Sequence, residues 1–129
     1  MGVMAERLPL LVDQEGVWDG EYVHVDADHQ VIDRHRSRLI CRVFDGPEGE
    51  AKFVQSNLYD WADGTREIRF FEGVFRDDRV WIRNDLIDGW TADLDLDPTR
   101  RSLMVAWVRV GEPDFRFYEL ITMSEDGQA

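Results

Sequence analysis

His24 and His35 lie in two consecutive runs of alternating polarity, separated by the turn-rich segment Asp26-Ala27-Asp28-His29-Gln30. If the runs fold back on each other about His29 and Gln30, the two imidazoles face one another. A facing pair could act as general acid and general base near neutral pH, with Tyr59 as a third proton-handling group. It could also offer two metal ligands. A metal site needs three or four, though, and no cysteine or carboxylate aligns with the pair, so the sequence predicts no metal and no cofactor. Gln55, Asn57 and Tyr59 alternate along a third run and share one face. An unpaired buried amide costs about 1–3 kcal/mol. Gln55 and Asn57 must therefore bond to each other, to Tyr22 or Ser37, to water or to a ligand. No Ser-His-Asp order, phosphate loop or dinucleotide fingerprint occurs, and catalytic residues cannot be assigned on motif grounds.

The elements that would position these groups are strands. Turn markers recur at Asp26-Ala27-Asp28, Asp45-Gly46-Pro47, Asp63-Gly64, Asp77-Asp78, Asp88-Gly89, Asp97-Pro98 and Gly111-Glu112-Pro113-Asp114. Between them lie short runs rich in Val, Ile, Phe, Tyr and Trp, the pattern of an all-β sandwich or barrel. The runs predict eight strands, at 17–25, 32–44, 51–61, 65–76, 79–85, 89–97, 102–110 and 115–123. Short connections make sequence neighbours antiparallel partners, giving an up-and-down meander. Closure of the meander into an eight-stranded antiparallel barrel would remove both exposed edges. The whole chain, 1–129, then forms one domain. Residues 5–14 hold the one candidate helix, limited to a short turn by Pro9. Gly73 predicts a bulge or bend. In Trp90–Asp97 the apolar residues point one way, while Thr91, Asp93, Asp95 and Asp97 form a solvated face.

A symmetric first hairpin sets His24 opposite His35, Tyr22 opposite Ser37 and Trp18 opposite Cys41. Trp18, Gly20, Tyr22 and His24 then point inward, as do His35, Ser37, Leu39, Cys41 and Val43. Arg34, Arg36, Arg38 and Arg42 form an outer stripe that pairs with acidic neighbours or meets a partner such as a second copy, and Arg69, Arg76, Arg79 and Arg83 could extend it. Phe53, Gln55, Asn57 and Tyr59 face inward, with Trp61 at the rim. Trp90, Trp107 and Tyr118 complete the expected wall.

The net charge of −12 argues against nucleic acid and against an anionic membrane surface, since both attract Lys and Arg. Cys41 is the single cysteine, so an internal disulfide is excluded. No apolar stretch is long enough to span a bilayer as a helix, and Met1–Arg7 lacks the pattern of a secretory leader. A cytoplasmic location is the expectation.

Gly16-Val17-Trp18, following a short helical segment and opening an eight-strand meander, resembles the Gly-x-Trp signature of lipocalins and the wider calycin group. The resemblance implies that Trp18 plugs the closed end of a barrel and that Gly16 turns the chain into the first strand. Gln55-Ser56-Asn57-Leu58-Tyr59-Asp60-Trp61-Ala62-Asp63-Gly64 is similar to a stretch of an uncharacterised lipocalin-like family of bacteria and plastids. The last strand departs from transport lipocalins: it ends Leu120-Ile121-Thr122-Met123, without the arginine that packs over the tryptophan.

The functional expectation is a small-molecule binding protein. Aromatic walls (Tyr22, Tyr59, Trp90, Trp107, Tyr118) and polar anchors (His24, His35, Gln55, Asn57) suit an amphipathic or aromatic ligand. A fatty-acid carrier would need Arg109 or Arg116 turned inward. The alternatives are an acid/base isomerase or lyase in the same pocket, and an interaction protein with a filled interior.

Overall fold

The computed structural model describes residues 2–45, 51–94 and 98–126. Two short helices, α1 (Val3–Arg7) and α2 (Pro9–Val12), precede β1 (Gly16–Val25), β2 (Val31–Phe44), β3 (Lys52–Asp60), β4 (Arg66–Arg76), β5 (Arg79–Arg83), β6 (Ile87–Asp93), β7 (Ser102–Arg109) and β8 (Glu112–Thr122). The eight strands form one sheet in chain order, with every neighbouring pair antiparallel. No described helix is long and apolar enough to cross a membrane.

The sheet curls into an open half-barrel. The closed cylinder expected from the sequence does not form: β1 and β8 end the strand order, and no ladder joins them among the described residues. Unequal strand lengths give a physical reason. Closure requires one stagger carried consistently round the sheet, whereas β2 has 14 residues and β5 has 5. The two edges are guarded by charge rather than by pairing, with Asp19 and Glu21 on β1 and Glu112, Asp114 and Arg116 on β8.

The helices seal one end. Met4, Leu8 and Leu11 are buried against Cys41, Phe53, Val80 and Leu103. Pro9 opens α2 at its first turn instead of ending a single helix, and the helical segment starts at Val3, earlier than expected. Two carboxylates, Asp45 just past the end of β2 and Asp93 at the end of β6, hold the helices by their free backbone N–H groups. Asp45 accepts from Met4 and Ala5 (3.0 and 2.8 Å), and Asp93 accepts from Leu10 and Leu11 (2.9 and 3.0 Å). Asp93 is thus a structural cap and not part of a solvated face, and Thr91 is buried at 3% exposure. Asp95 and Asp97 lie outside the described residues.

Gly16 enters β1 at φ 137°, a conformation that glycine tolerates and L side chains resist. Gly73 makes no bulge. It stays in register with Phe53 on one side and Ile82 on the other. Its missing side chain serves packing: a Cβ there would collide with Cγ1 of the fully buried Val80.

The β1–β2 register differs from the symmetric hairpin. His24 pairs with Asp33, Tyr22 with His35, Gly20 with Ser37, Trp18 with Leu39 and Gly16 with Cys41. The turn closes earlier because the Asp26 carboxylate accepts from the N–H groups of Asp28 and Gln30, while His29 takes φ 63°. The displacement is two residues, so every side chain keeps its face. The outer arginines pair as expected where contacts are resolved: Arg38 meets Asp19 at 2.7 Å and Arg34 meets Glu21 at 3.0 Å.

Candidate functional site

The concave side of the half-barrel encloses a cavity of about 820 Å³ whose wall draws residues from all eight strands and from α2. Its floor is the helix-sealed end. Leu11, Phe53 and Leu103 line it, and the Trp18 indole N–H donates to the Gln14 carbonyl at 2.8 Å. Trp18 packs, partly buried, against the core cluster at that end. Its opposite end opens beside the β1–β2 turn.

β3 carries a hydrogen-bonded ladder up one wall. The Cys41 thiol contacts Gln55 Oε1 at 3.7 Å, Gln55 Nε2 donates to Asn57 Oδ1 at 2.8 Å, and Asn57 Nδ2 donates to the Tyr59 hydroxyl at 2.7 Å. Alternation along a strand puts these groups on one face. The two amides bond to each other, one of the outcomes open from sequence, and Asn57 is buried at 5% exposure. Burial pushes the Cys41 thiol up to about 11. Burial also dominates at Tyr22 and Tyr59, raising both hydroxyls, and the Asn57 amide partly offsets the rise at Tyr59.

At the mouth, five aromatic rings gather round one carboxylate. Asp33 Oδ2 lies 2.8 Å from His35 Nδ1 and 3.2 Å from His24 Nδ1, while Asp33 Oδ1 accepts from the Trp61 indole N–H at 2.8 Å. These contacts, led by Trp61 and then His35, hold the Asp33 carboxyl below the usual carboxylate range. Tyr22 stacks on His35 at 5.2 Å, Trp61 lies 4.5 Å from His35, and Tyr59 meets His35 edge-on at 5.0 Å. The expectation that no carboxylate aligns with the histidines fails here. The two-residue register change places Asp33 directly opposite His24 and on the same face as His35.

Of the expected wall residues, Tyr22, His24, His35, Gln55, Asn57, Tyr59 and Trp107 line the cavity. Trp90 and Tyr118 do not. Trp90 sits on the convex side under the Arg79 guanidinium, 4.4 Å from its ring, because β6 turns Gly89 and Thr91 inward. Tyr118 is 66% exposed, because β8 turns Phe117, Glu119 and Ile121 inward. The ring facing Trp107 is Phe117, stacked at 4.1 Å.

Sequence reasoning missed several lining groups besides Asp33. Arg69, expected on the outer surface, lies inside with its guanidinium over Tyr59 at 5.7 Å and paired to Glu67 at 2.6 Å. Arg109, one of the two cations that a fatty-acid carrier would need turned inward, does line the wall and pairs with Glu112 at 3.4 Å. Burial raises the Glu119 carboxyl, partly offset by a hydrogen bond from Trp107. Thr91 Oγ1 is buried with no hydrogen-bond partner among the described residues. For Glu67 and Arg69 the available signal was their shared parity along β4 with Phe71 and Gly73.

The architecture defines a class: an up-and-down β-sheet curled round a blind cavity, with a polar ladder on one wall and an aromatic, carboxylate-centred mouth. The chain matches no family model, no curated protein and no solved structure.

Proposed function

We propose that the protein binds one small amphipathic or aromatic molecule inside a calycin-like barrel. The observation that carries this reading is the cavity itself: about 820 Å³, blind at the helix-sealed end and lined by both rings and buried polar groups. That volume lies within the range of small-molecule sites, roughly 300–1,000 Å³. The aromatic mouth would contact the apolar body of the ligand, and the Gln55–Asn57–Tyr59 ladder would orient its polar end. A protein whose interior served only as packing would fill this space with side chains, so the cavity weighs against that alternative.

Binding can be followed through Trp18, Trp61 and Trp107, which line the cavity. Titration with an anilinonaphthalene sulfonate dye should quench their emission with one saturable site. Native mass spectrometry of protein purified from its own host should reveal a co-purified mass. Tyr22→Ala and Asn57→Leu should each weaken dye binding several-fold. Absence of a co-purified mass, together with dye binding indifferent to both substitutions, would overturn the proposal.

A second reading has one specific observation in its favour. The Asp33–His35 contact of 2.8 Å is the arrangement in which a carboxylate orients an imidazole through Nδ1 and leaves Nε2 to move a proton. Under that reading the pocket runs acid/base isomerase or lyase chemistry. His35→Ala would then abolish turnover while the dye still bound, whereas a pure carrier would show only a graded loss of affinity.

A further inference from the structure

We propose that His24, Asp33 and His35 form a site for a divalent transition metal, held by three protein atoms with its remaining position open to the cavity. The three residues each offer one ligand atom, and these atoms lie within 4.8 Å of one another. Two sides of the triangle are 2.8 and 3.2 Å, from Asp33 Oδ2 to the Nδ1 atoms of His35 and His24. An ion with tetrahedral bonds of about 2.0–2.1 Å separates its ligands by about 3.3 Å. Those two sides need shifts of a few tenths of an ångström, and the third, between the two imidazoles and no longer than 4.8 Å, must close to the same length as the exposed His24 side chain turns.

The donors sit on a paired hairpin rather than on a loop: Asp33 faces His24 across the ladder, and His35 follows on the same face. The surrounding contacts are those that orient metal ligands. Trp61 fixes Asp33 Oδ1 and leaves Oδ2 toward the imidazoles. Tyr22 stacks on both histidine rings. His24 is more than half exposed and gives the ion a path from solvent, whereas His35 is buried at 7%. Two imidazoles and one carboxylate suit Zn²⁺ and its neighbours better than Ca²⁺ or Mg²⁺, which prefer all-oxygen sets. Metal and the present hydrogen bonds exclude each other. To bind the ion each neutral imidazole must carry its proton on Nε2 and present a bare Nδ1. A ligand oxygen or nitrogen entering the cavity could fill the open position. The site does not depend on the binding reading above, since the ion can be titrated alone.

The test is calorimetric titration of chelator-stripped full-length protein with Zn²⁺, with Co²⁺ absorbance as a second readout of the coordination sphere. One ion per chain is expected at micromolar or tighter affinity, with the intense visible bands of four-coordinate Co²⁺. Asp33→Asn and His35→Ala should weaken binding at least a hundredfold, and Trp61→Phe about tenfold. His29→Ala, in the exposed turn, and Cys41→Ser, at the floor, should leave it unchanged. His24→Ala changes an exposed side chain and so guards against loss of fold in the buried variants. It too should remove the Co²⁺ bands. No saturable binding by the wild-type chain, or Zn²⁺ affinity unaltered by His24→Ala, would overturn the proposal.

Discussion

Cys41 offers a quantitative check on the sealed floor. Its side chain is 4% exposed, and burial moves the thiol from 9.0 to about 11. Between those values the unfolded chain releases a proton that the folded chain retains. The stability this provides is present in full below pH 9 and is lost as pH rises through 11. Each unit of displacement corresponds to about 1.4 kcal/mol, so the full loss approaches about 3 kcal/mol above pH 11. Between pH 8 and pH 10 the same relation gives a fall of about 1.3 kcal/mol from this one group. Tyr22 and Tyr59, whose hydroxyls are also raised, act in the same sense from about pH 10 upward. The measurement is therefore a difference. Urea unfolding of the wild type and of Cys41→Ala, followed by tryptophan emission under reducing conditions, should show a steeper pH dependence for the wild type by about 1.3 kcal/mol. Equal dependence in the two proteins would mean that water reaches the thiol and that the helices do not seal the barrel end.

Three further outcomes are expected. Asp93→Ala removes the acceptor for the Leu10 and Leu11 N–H groups; it should cost about 1–2 kcal/mol in thermal or urea unfolding and speed proteolysis of the first residues. Unchanged stability would remove Asp93 from the account of the floor. Gly73→Ala should cost about 1–3 kcal/mol by driving a methyl into Val80. The double variant with Val80→Ala should then be less destabilised than the sum of the two single changes, and strict additivity would refute the contact. Asn57→Leu removes the amide that partly offsets the rise at Tyr59. An ultraviolet pH titration should find the Tyr59 hydroxyl ionising at still higher pH, and a downward move would contradict the ladder.

Much of this molecule could be read before any coordinates. Period-two alternation located the strands to within a few residues and set the inward faces of β1, β2 and β3, because side-chain direction in a strand depends only on parity. That is why Tyr22, His24, His35, Gln55, Asn57 and Tyr59 line the cavity even though the first hairpin is displaced by two residues. The sequence by itself also determined that the amides need partners. On β6 the alternation misled, because Thr91 and Asp93, polar residues that read as a solvated face, turn toward the core and the helices while Trp90 turns out; on β8 both faces carry large apolar or aromatic side chains and parity was not legible. Trp90 gains cover on the convex side from Arg79, a neighbour brought there by the sheet and not by the chain. Only the tertiary structure decided that the meander stays open, that Arg69 turns in over Tyr59, and that Asp33 stands between two histidines. Those facts depend on register and curl. Both are set by turn hydrogen bonds and by the fit of strands of unequal length, quantities that no single run of residues contains.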